Sequence, residues 1–216
     1  MKKILITISA CLCIHAQSAS AATIGPYTID PAGSVSTVTS ASNVLSTNGA
    51  DAITDLELTT YIQGTTTGGS LGLGFNNSLF NNTGDDIVFY FVRADSEPTS
   101  SFFDLSINGN TQVDVEASLF TFIDSDSGLT KKYQIDFGNG YADMLIATIE
   151  LGDFGITGTD FINELTISNL GSTDRLALAA GFNLSANAPA EVPLPAAVWL
   201  FITGLGALGM ISRRRR

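Results

Sequence analysis

The chain has 216 residues, and its net charge of −11 at pH 7 makes it strongly acidic. Twenty of its 21 acidic residues lie between Ala22 and Ala190, where only four basic residues occur, so this segment carries a net charge of −16. Such a segment repels nucleic acid and anionic lipid, and nucleic-acid binding is excluded as its function.

The first 21 residues are predicted to be a secretory signal peptide. Two lysines directly after the first Met give a positive start, and the apolar run from Ile4 to Ile14 is too short to span a bilayer. Ala19 and Ala21 form a small-residue cleavage site, so the mature chain is expected to begin near Ala22 and to be exported.

Removal of the signal peptide also removes both cysteines and the single histidine, which are Cys11, Cys13 and His15. The mature protein then lacks thiol and imidazole groups, which excludes Ser-His-Asp and Cys-His catalysis. It also excludes zinc, copper and iron sites built on histidine or cysteine. Carboxylate chemistry, a Ser–Lys pair that uses Lys131 or Lys132, and metals bound by oxygen atoms remain open.

Residues 22–188 are predicted to form one acidic, all-β domain, a single β-sandwich with a jelly-roll-like arrangement. Short runs of Val, Ile, Phe and Tyr are separated by Gly, Ser, Thr and Asn, which is typical of strands joined by turns. One or two short helical turns are expected near residues 158–165. The expected strands cover residues 34–40, 55–62, 87–92, 103–107, 111–115, 119–123, 132–137, 144–151, 161–168 and 175–184.

Two local patterns in this domain make sharper predictions. The continuous apolar run from Ile87 to Val92 indicates a strand that is buried on both faces. Asn108-Gly109 lies between two alternating segments and predicts a hairpin with a two-residue type I′ turn.

A glycine-rich segment and the acidic turn after it suggest a metal site. Leu71-Gly72-Leu73-Gly74-Phe75, followed by Gly84-Asp85-Asp86-Ile87-Val88-Phe89, resembles the galactose-binding-like jelly rolls. In that superfamily, loop carboxylates often hold a structural calcium and the end loops bind sugar. The resemblance implies calcium ligands at Asp85 and Asp86. The alternative is a polar turn that precedes a buried strand.

Other acidic residues give weaker signals. Asp153 with Asp160, or Asp114 with Glu116, could be a glycosidase pair, but a chain this acidic offers such pairs by chance. The segment from Asp124 to Gly128 begins like a calcium loop, but it lacks the Gly and Glu that an EF-hand needs at its sixth and twelfth positions. A hairpin turn is the expected structure there.

Aromatic residues permit sugar binding without indicating it. Carbohydrate-binding modules usually stack a sugar ring on an exposed Trp or Tyr. The single Trp, Trp199, lies near the C-terminus. The acidic domain offers Tyr27, Tyr61, Tyr90, Tyr133 and Tyr141, and of these Tyr90 falls in the run that is expected to be buried.

Residues 189–216 are predicted to be a membrane-associated tail. Residues 196–212 carry no charge and would make a helix of about 26 Å, close to the roughly 30 Å of a bilayer core. Pro193 and Pro195 keep the chain extended just before this span. By the positive-inside rule, the basic stop that follows the span stays in the cytoplasm, and it consists of Arg213, Arg214, Arg215 and Arg216.

The order of motif, span and arginines resembles the PEP-CTERM family of bacterial sorting tails, in its VPLPA variant. The motif is Val192, Pro193, Leu194, Pro195 and Ala196, with Leu194 where the family usually has Glu. The resemblance implies cleavage by an exosortase, which is a membrane-embedded protease of Gram-negative bacteria that make exopolysaccharide. It also implies transient anchoring in the inner membrane, followed by delivery to the cell surface or extracellular matrix.

These observations predict a secreted surface or exopolysaccharide-matrix protein with a structural or adhesive, non-enzymatic role. Its expected partners are an exosortase and exopolysaccharide, and no cofactor is expected apart from a structural calcium. The first alternative is a calcium-dependent carbohydrate-binding module. The second is a glycoside hydrolase that uses carboxylates.

Overall fold

The structure is a computed structural model that describes residues 21–182 apart from 48, 55, 67, 95, 138, 139 and 159. The predicted signal peptide, except Ala21, and the whole predicted sorting tail lie outside these residues. Within them, no helix is long and apolar enough to cross a membrane.

The described chain is all-β, as predicted. Its fifteen strands are β1 (Ala22–Ile24), β2 (Tyr27–Ile29), β3 (Val35–Ser42), β4 (Val44–Ser46), β5 (Ile62–Gly64), β6 (Gly69–Phe80), β7 (Ile87–Arg93), β8 (Ser100–Ile107), β9 (Asn110–Leu119), β10 (Thr121–Ile123), β11 (Thr130–Lys132), β12 (Gln134–Asp136), β13 (Tyr141–Ile149), β14 (Phe161–Leu170) and β15 (Arg175–Gly181). Short 3₁₀ turns cover Pro31–Gly33, Gly49–Ile53 and Leu151–Phe154.

Eleven strands form one antiparallel sheet, in the order β3-β6-β14-β8-β9-β13-β7-β15-β5-β4, with β12 paired to β13. Ser34, just before β3, bridges to Ala180 of β15. The sheet therefore curls until β15 meets β3, and the strands face one another across a common core in a sandwich-like arrangement. Two hairpins, β1–β2 and β10–β11, form separate two-stranded sheets.

Strand β7 contributes to two hydrophobic clusters. Ile87, Phe89 and Phe91 belong to the inner core, whose other members include Phe103, Leu105, Leu145, Ile167 and Leu176. Val88, Tyr90 and Val92 belong to the outer core, which is covered by the β1–β2 hairpin and includes Ile24, Ile29, Met144 and Leu178. All seven residues of β7 are buried, so the prediction of a strand buried on both faces is confirmed.

The β8–β9 hairpin also follows the sequence-based prediction. Asn108 and Gly109 join the strands with φ values of 50° and 82°. Positive φ at both central positions defines the type I′ turn, which matches the twist of the flanking strands.

Two sequence-based predictions are wrong. Residues 55–62 were expected to be a strand, but the described residues before Ile62 form turns and Leu56 has a φ of 60°. Leu56, Leu58 and Tyr61 pack against the outer core from those turns, so burial without sheet pairing explains the apolar pattern. Helical turns were expected near 158–165, but β14 begins at Phe161, where β6 and β8 pair with it from both sides, so the strand expected at 161–168 is confirmed instead.

Strand β6 has 12 residues, and two of its glycines allow β3 to approach closely. A Cβ atom at Gly72 would lie 2.3 Å from the Oγ1 of Thr39, and one at Gly74 would lie 2.5 Å from the Oγ1 of Thr37. Leu71, the neighbour of Gly72 in β6, is fully buried in the inner core. The Leu-Gly alternation therefore packs large side chains inward and the β3 threonines outward.

Candidate functional site

Charged residues from three neighbouring strands gather at one end of the sheet, where β7 finishes and β13 and β15 begin. Strand β7 is antiparallel to both β13 and β15, so its C-terminal end lies beside their N-terminal ends. Arg93 pairs in register with Asp143, and Arg175 pairs with Val92. Residues that are far apart in the chain therefore meet at this end of the sheet.

Arg93 and Asp143 form a buried ion pair. The Nη2 of Arg93 lies 2.7 Å from the Oδ2 of Asp143, and the two side chains are 3% and 0% exposed. The Nη1 of Arg93 donates to the backbone carbonyls of Glu97 and Pro98, the latter at 3.0 Å. The guanidinium is thus held by the sheet on one side and by the loop after β7 on the other.

Asp143 receives two further hydrogen bonds from neighbouring strands. Lys132 donates to its Oδ2 at 2.9 Å, and the side-chain amide of Gln134 donates to its Oδ1 at 3.2 Å. Burial by itself raises the pKa of Asp143, but the hydrogen bonds from Lys132 and Gln134 and the positive charges of Lys132 and Arg93 hold it below its usual value. The carboxyl group is therefore ionised at neutral pH.

Glu97 links this pair to Arg175. Its Oε2 and Oε1 accept from the Nη1 and Nη2 of Arg175 at 2.5 and 2.8 Å, which is a bidentate pair. The amide of Ala94 also donates to Oε2, at 2.7 Å. Burial raises the pKa of Glu97, but the hydrogen bonds from Arg175 and Ala94 outweigh it and lower the pKa. The bidentate pair fixes both the loop and the plane of the Arg175 guanidinium.

A cleft of about 320 Å³ lies over this network, and we call it the arginine cleft. Its walls are Tyr61, Val92, Arg93, Ala94, Phe137, Gly140, Tyr141, Ala142 and Arg175. Tyr141 is 66% exposed, whereas Tyr61 and Phe137 pack partly against the outer core. The guanidinium carbon of Arg175 lies 5.7 Å from the centre of the Tyr61 ring, within the range of a cation–π contact.

The cleft therefore combines aromatic surface with fixed polar groups. Among the buried side-chain polar atoms of the described residues, the Nε of Arg93 has no hydrogen-bond partner. Buried donors are almost always paired, so this atom is an exception within the network. Rings beside ion-paired arginines can bind a ligand that offers both an apolar face and hydroxyl groups.

Asp85 and Asp86, the predicted calcium ligands, lie at the opposite end of β7. Asp86 is fully buried, and its carboxylate accepts from the backbone amides of Asn82 at 3.0 Å and Leu151 at 2.8 Å. Asp85 is exposed and accepts from the hydroxyl of Tyr27 at 3.3 Å. This geometry is that of a turn tied to its neighbours, as in the polar-turn alternative.

No group of three or more His, Cys, Asp or Glu residues in the described part of the chain is placed to hold a metal ion. The calcium interpretation of Asp85 and Asp86 was not tested directly and stays a prediction. Of the other acidic candidates, Asp114 and Glu116 lie in β9 and Asp153 lies in the 3₁₀ turn Leu151–Phe154, whereas Asp124 and Asp160 lie in loops. Asp124 accepts from Ser127 and pairs with Lys131 in the β10–β11 hairpin, as expected for a turn, and Asp160 accepts from the amide and hydroxyl of Thr157.

A second cavity of about 330 Å³ lies between the turn of the β1–β2 hairpin and the β10–β11 hairpin. Its lining is almost wholly apolar and aromatic, and consists of Gly25, Pro26, Phe120, Phe122 and Tyr133. It lacks the charged groups that distinguish the arginine cleft.

Comparison of the chain with protein-family models, characterised proteins and solved structures finds no match in any of the three. Its function is therefore argued from the residues and their geometry. Sequence reasoning missed the arginine cleft, although one signal for it was present. Arg93 ends a fully apolar strand, and a cation in that position requires a buried partner.

Proposed function

We propose that this chain is an exported surface or exopolysaccharide-matrix protein that an exosortase sorts through its C-terminal tail, with a structural or adhesive, non-enzymatic body. One observation carries the proposal: the VPLPA motif, the uncharged stretch and the four arginines follow one another without interruption from Val192 to Arg216. The lysines, apolar run and small-residue cleavage site at the N-terminus support export.

The two ends of the chain act in sequence in this proposal. The signal peptide directs export, and the predicted span then stops transfer with Arg213–Arg216 in the cytoplasm. Because Pro193 and Pro195 prevent the helix from extending, the motif is left as an extended segment beside the membrane, where a membrane protease can bind it. Cleavage there would release the acidic domain. The jelly-roll-like arrangement and both flanking segments remain part of the proposal.

Four carboxyl groups of the described residues are held as hydrogen-bond acceptors, which agrees with a structural role for them. A glycosidase acid needs a pKa raised toward neutrality so that it can donate a proton. In the described residues, the pKa is lowered for every carboxyl group with a resolved shift, which are Glu97, Asp124, Asp143 and Asp160. Each of these groups accepts hydrogen bonds within a turn or an ion-pair network, which suits a stabilising role.

The positions at which the chain is cleaved test the proposal. The full chain is expressed in a Gram-negative bacterium that carries an exosortase and makes exopolysaccharide, and the intact mass of the surface-released protein is measured. We expect an N-terminus near Ala22 and a C-terminus near the 192–196 motif. A released protein that still contains Arg213–Arg216 would contradict sorting by cleavage.

A further inference from the structure

We propose that the arginine cleft is a calcium-independent binding site for an uncharged pyranose unit of a polysaccharide, with Tyr141 as the stacking surface. The inference deepens the proposed matrix function, because it rests on delivery of the domain to a polysaccharide environment. It assigns the ligand class and the residues that bind it.

Tyr141 is the residue best placed to bind a sugar ring. It is the first residue of β13, where pairing with Asp136 of β12 fixes its backbone, yet its side chain is 66% exposed at the cleft. An exposed Tyr on a rigid strand offers apolar area at low conformational cost. Leaving a large ring exposed beside a cleft is unfavourable in water, and stacking against the C–H face of a pyranose removes that cost.

The polar wall of the cleft is fixed before any ligand arrives. Arg175 donates through Nε to the side chain of Gln63 at 3.2 Å and through both Nη atoms to Glu97. These bonds, together with a hydrogen-bond interaction with Tyr61, hold the guanidinium in place, and they use four of its five N–H donors. Arg175 therefore retains donor capacity for ligand hydroxyls while losing little rotamer entropy on binding.

The size of the cleft agrees with a small saccharide unit. Its volume of about 320 Å³ falls at the lower end of the roughly 300–1,000 Å³ range of small-ligand sites. Half-buried Tyr61 and Phe137 provide further apolar wall, and Val92 and Ala142 add small apolar surfaces. One ring of a longer chain can enter, and the open side of the cleft leaves the rest of the polymer outside.

Charge argues for an uncharged sugar. Three of the four basic residues of the acidic domain gather here, but Arg93, Lys132 and Arg175 are all paired with Asp143 or Glu97. Three cations and two carboxylates leave the network a net charge of +1, and each cation is already engaged by a carboxylate. Because residues 22–190 carry −16, a polyanion would also be repelled over longer distances.

Calcium has no role in this site. The two carboxylates of the network, Glu97 and Asp143, already accept hydrogen bonds from arginine or lysine side chains. A calcium ion takes six to eight oxygen ligands and would have to displace these cations. Binding should therefore survive a chelator, unlike that of the calcium-dependent module considered from the sequence.

The test is a binding titration with the full chain, kept in a detergent that has no sugar headgroup. The probes are neutral glucans, galactans and mannans, the neutral fraction of the host's own exopolysaccharide, and a polyuronate, each with EDTA and with calcium. We expect saturable binding to at least one neutral polymer, equal in both buffers. Tyr141→Ala should weaken it by about tenfold or more, since loss of an aromatic contact of about 1.4 kcal/mol corresponds to that factor.

Two further variants separate stacking from a general loss of structure. Tyr141→Trp keeps an aromatic face and should retain binding. Phe161→Ala removes another exposed aromatic side chain, 49% exposed, at the start of β14 and outside the cleft, and should leave binding unchanged. Thermal unfolding of each variant, measured in parallel, checks that the exposed substitutions leave the fold intact.

Several outcomes overturn the inference: no binding to any neutral polymer, binding that requires calcium, binding of the polyuronate alone, or equal losses in Tyr141→Ala and Phe161→Ala. Its failure is distinguishable from failure of the proposed function. Correct cleavage and surface release without glycan binding would overturn the cleft assignment alone. Glycan binding by a chain that is never cleaved would overturn the sorting proposal alone.

Discussion

Arg93 at the end of β7 and Asp143 near the start of β13 face each other with their charged atoms 2.7 Å apart and almost no contact with solvent. Removing a buried pair from water is costly, and its attraction offsets that cost only when further hydrogen bonds complete the network. Lys132, Gln134 and the carbonyls of the loop after β7 supply those bonds. The stability of this end of the sheet therefore depends on the network as a whole.

Breaking the pair on one side should be strongly destabilising. Asp143→Ala leaves the Arg93 guanidinium buried without its counter-charge, and we expect the free energy of unfolding to fall by about 3–5 kcal/mol. Urea unfolding followed by fluorescence measures the change. The double variant Arg93→Met with Asp143→Leu should recover much of the loss, since an apolar pair of similar volume is often tolerated. A double variant as unstable as the sum of the single ones would show that the two residues act independently.

Acid should destabilise the protein through the same network. The folded-state pKa values of Asp143 and Glu97 are lowered, so the unfolded state binds protons more readily than the folded state. Their contribution is fully present above the unfolded pKa values of about 4 and is lost as pH falls through the folded values. We expect the urea midpoint to be constant near neutral pH and to fall steadily below about pH 4. Asp143→Asn should have a shallower acid dependence than the wild type, and identical slopes would contradict this assignment.

Asp86 should stabilise the turn before β7 as a hydrogen-bond acceptor. Its carboxylate accepts from the amides of Asn82 and Leu151, while its own amide donates to Ile149 and its carbonyl accepts from Phe182. Asp86→Ala leaves two donors unpaired and should lower the free energy of unfolding by about 1–3 kcal/mol. The matched control is Asp85→Ala, because Asp85 is exposed, and its effect should stay within about 0.5 kcal/mol.

A comparison of calcium with magnesium distinguishes a specific calcium site at Asp85 and Asp86 from general screening of the negative charge. A specific site raises the melting temperature more with calcium than with magnesium at matched ionic strength, since the ion binds only the folded state. General screening of the acidic domain raises it equally with both ions. We expect equal shifts, as for a polar turn. A calcium preference that disappears in the Asp85→Asn and Asp86→Asn double variant would instead establish the metal site.

The proline pair of the tail should control release from the membrane. Replacing Pro193 and Pro195 with Ala would allow the predicted span to extend helically through the motif, and we expect the protein to accumulate in the inner membrane. Fractionation followed by immunoblotting measures the distribution. Pro98→Ala is the matched control, because Pro98 lies in the loop after β7 and not in the tail. Normal release of the tail variant would show that the two prolines are not required for processing.

Short-range patterns predicted much of the fold. Ile87–Val92 forms the expected doubly buried strand, and Asn108-Gly109 forms the expected turn, because each pattern depends on a few consecutive residues. The failures have the opposite cause. The strand at 55–62 and the helical turns near 158–165 were expected from local sequence. Contacts with the outer core decided the first, and pairing with β6 and β8 favoured the alternative strand at 161–168 over the helical turns.

The sequence by itself determined the acidic character of residues 22–190, their strand-rich composition and the order of Val-Pro-Leu-Pro-Ala, uncharged stretch and arginines at residues 192–216, since these are properties of neighbouring residues. Only the tertiary structure decided the arginine cleft. Gln63 and Arg175 lie 112 positions apart in the chain, and Arg93 and Asp143 lie 50 apart. Antiparallel pairing of β13, β7, β15 and β5 brings them to one end of the sheet, because strands that alternate in direction place the end of one beside the start of the next.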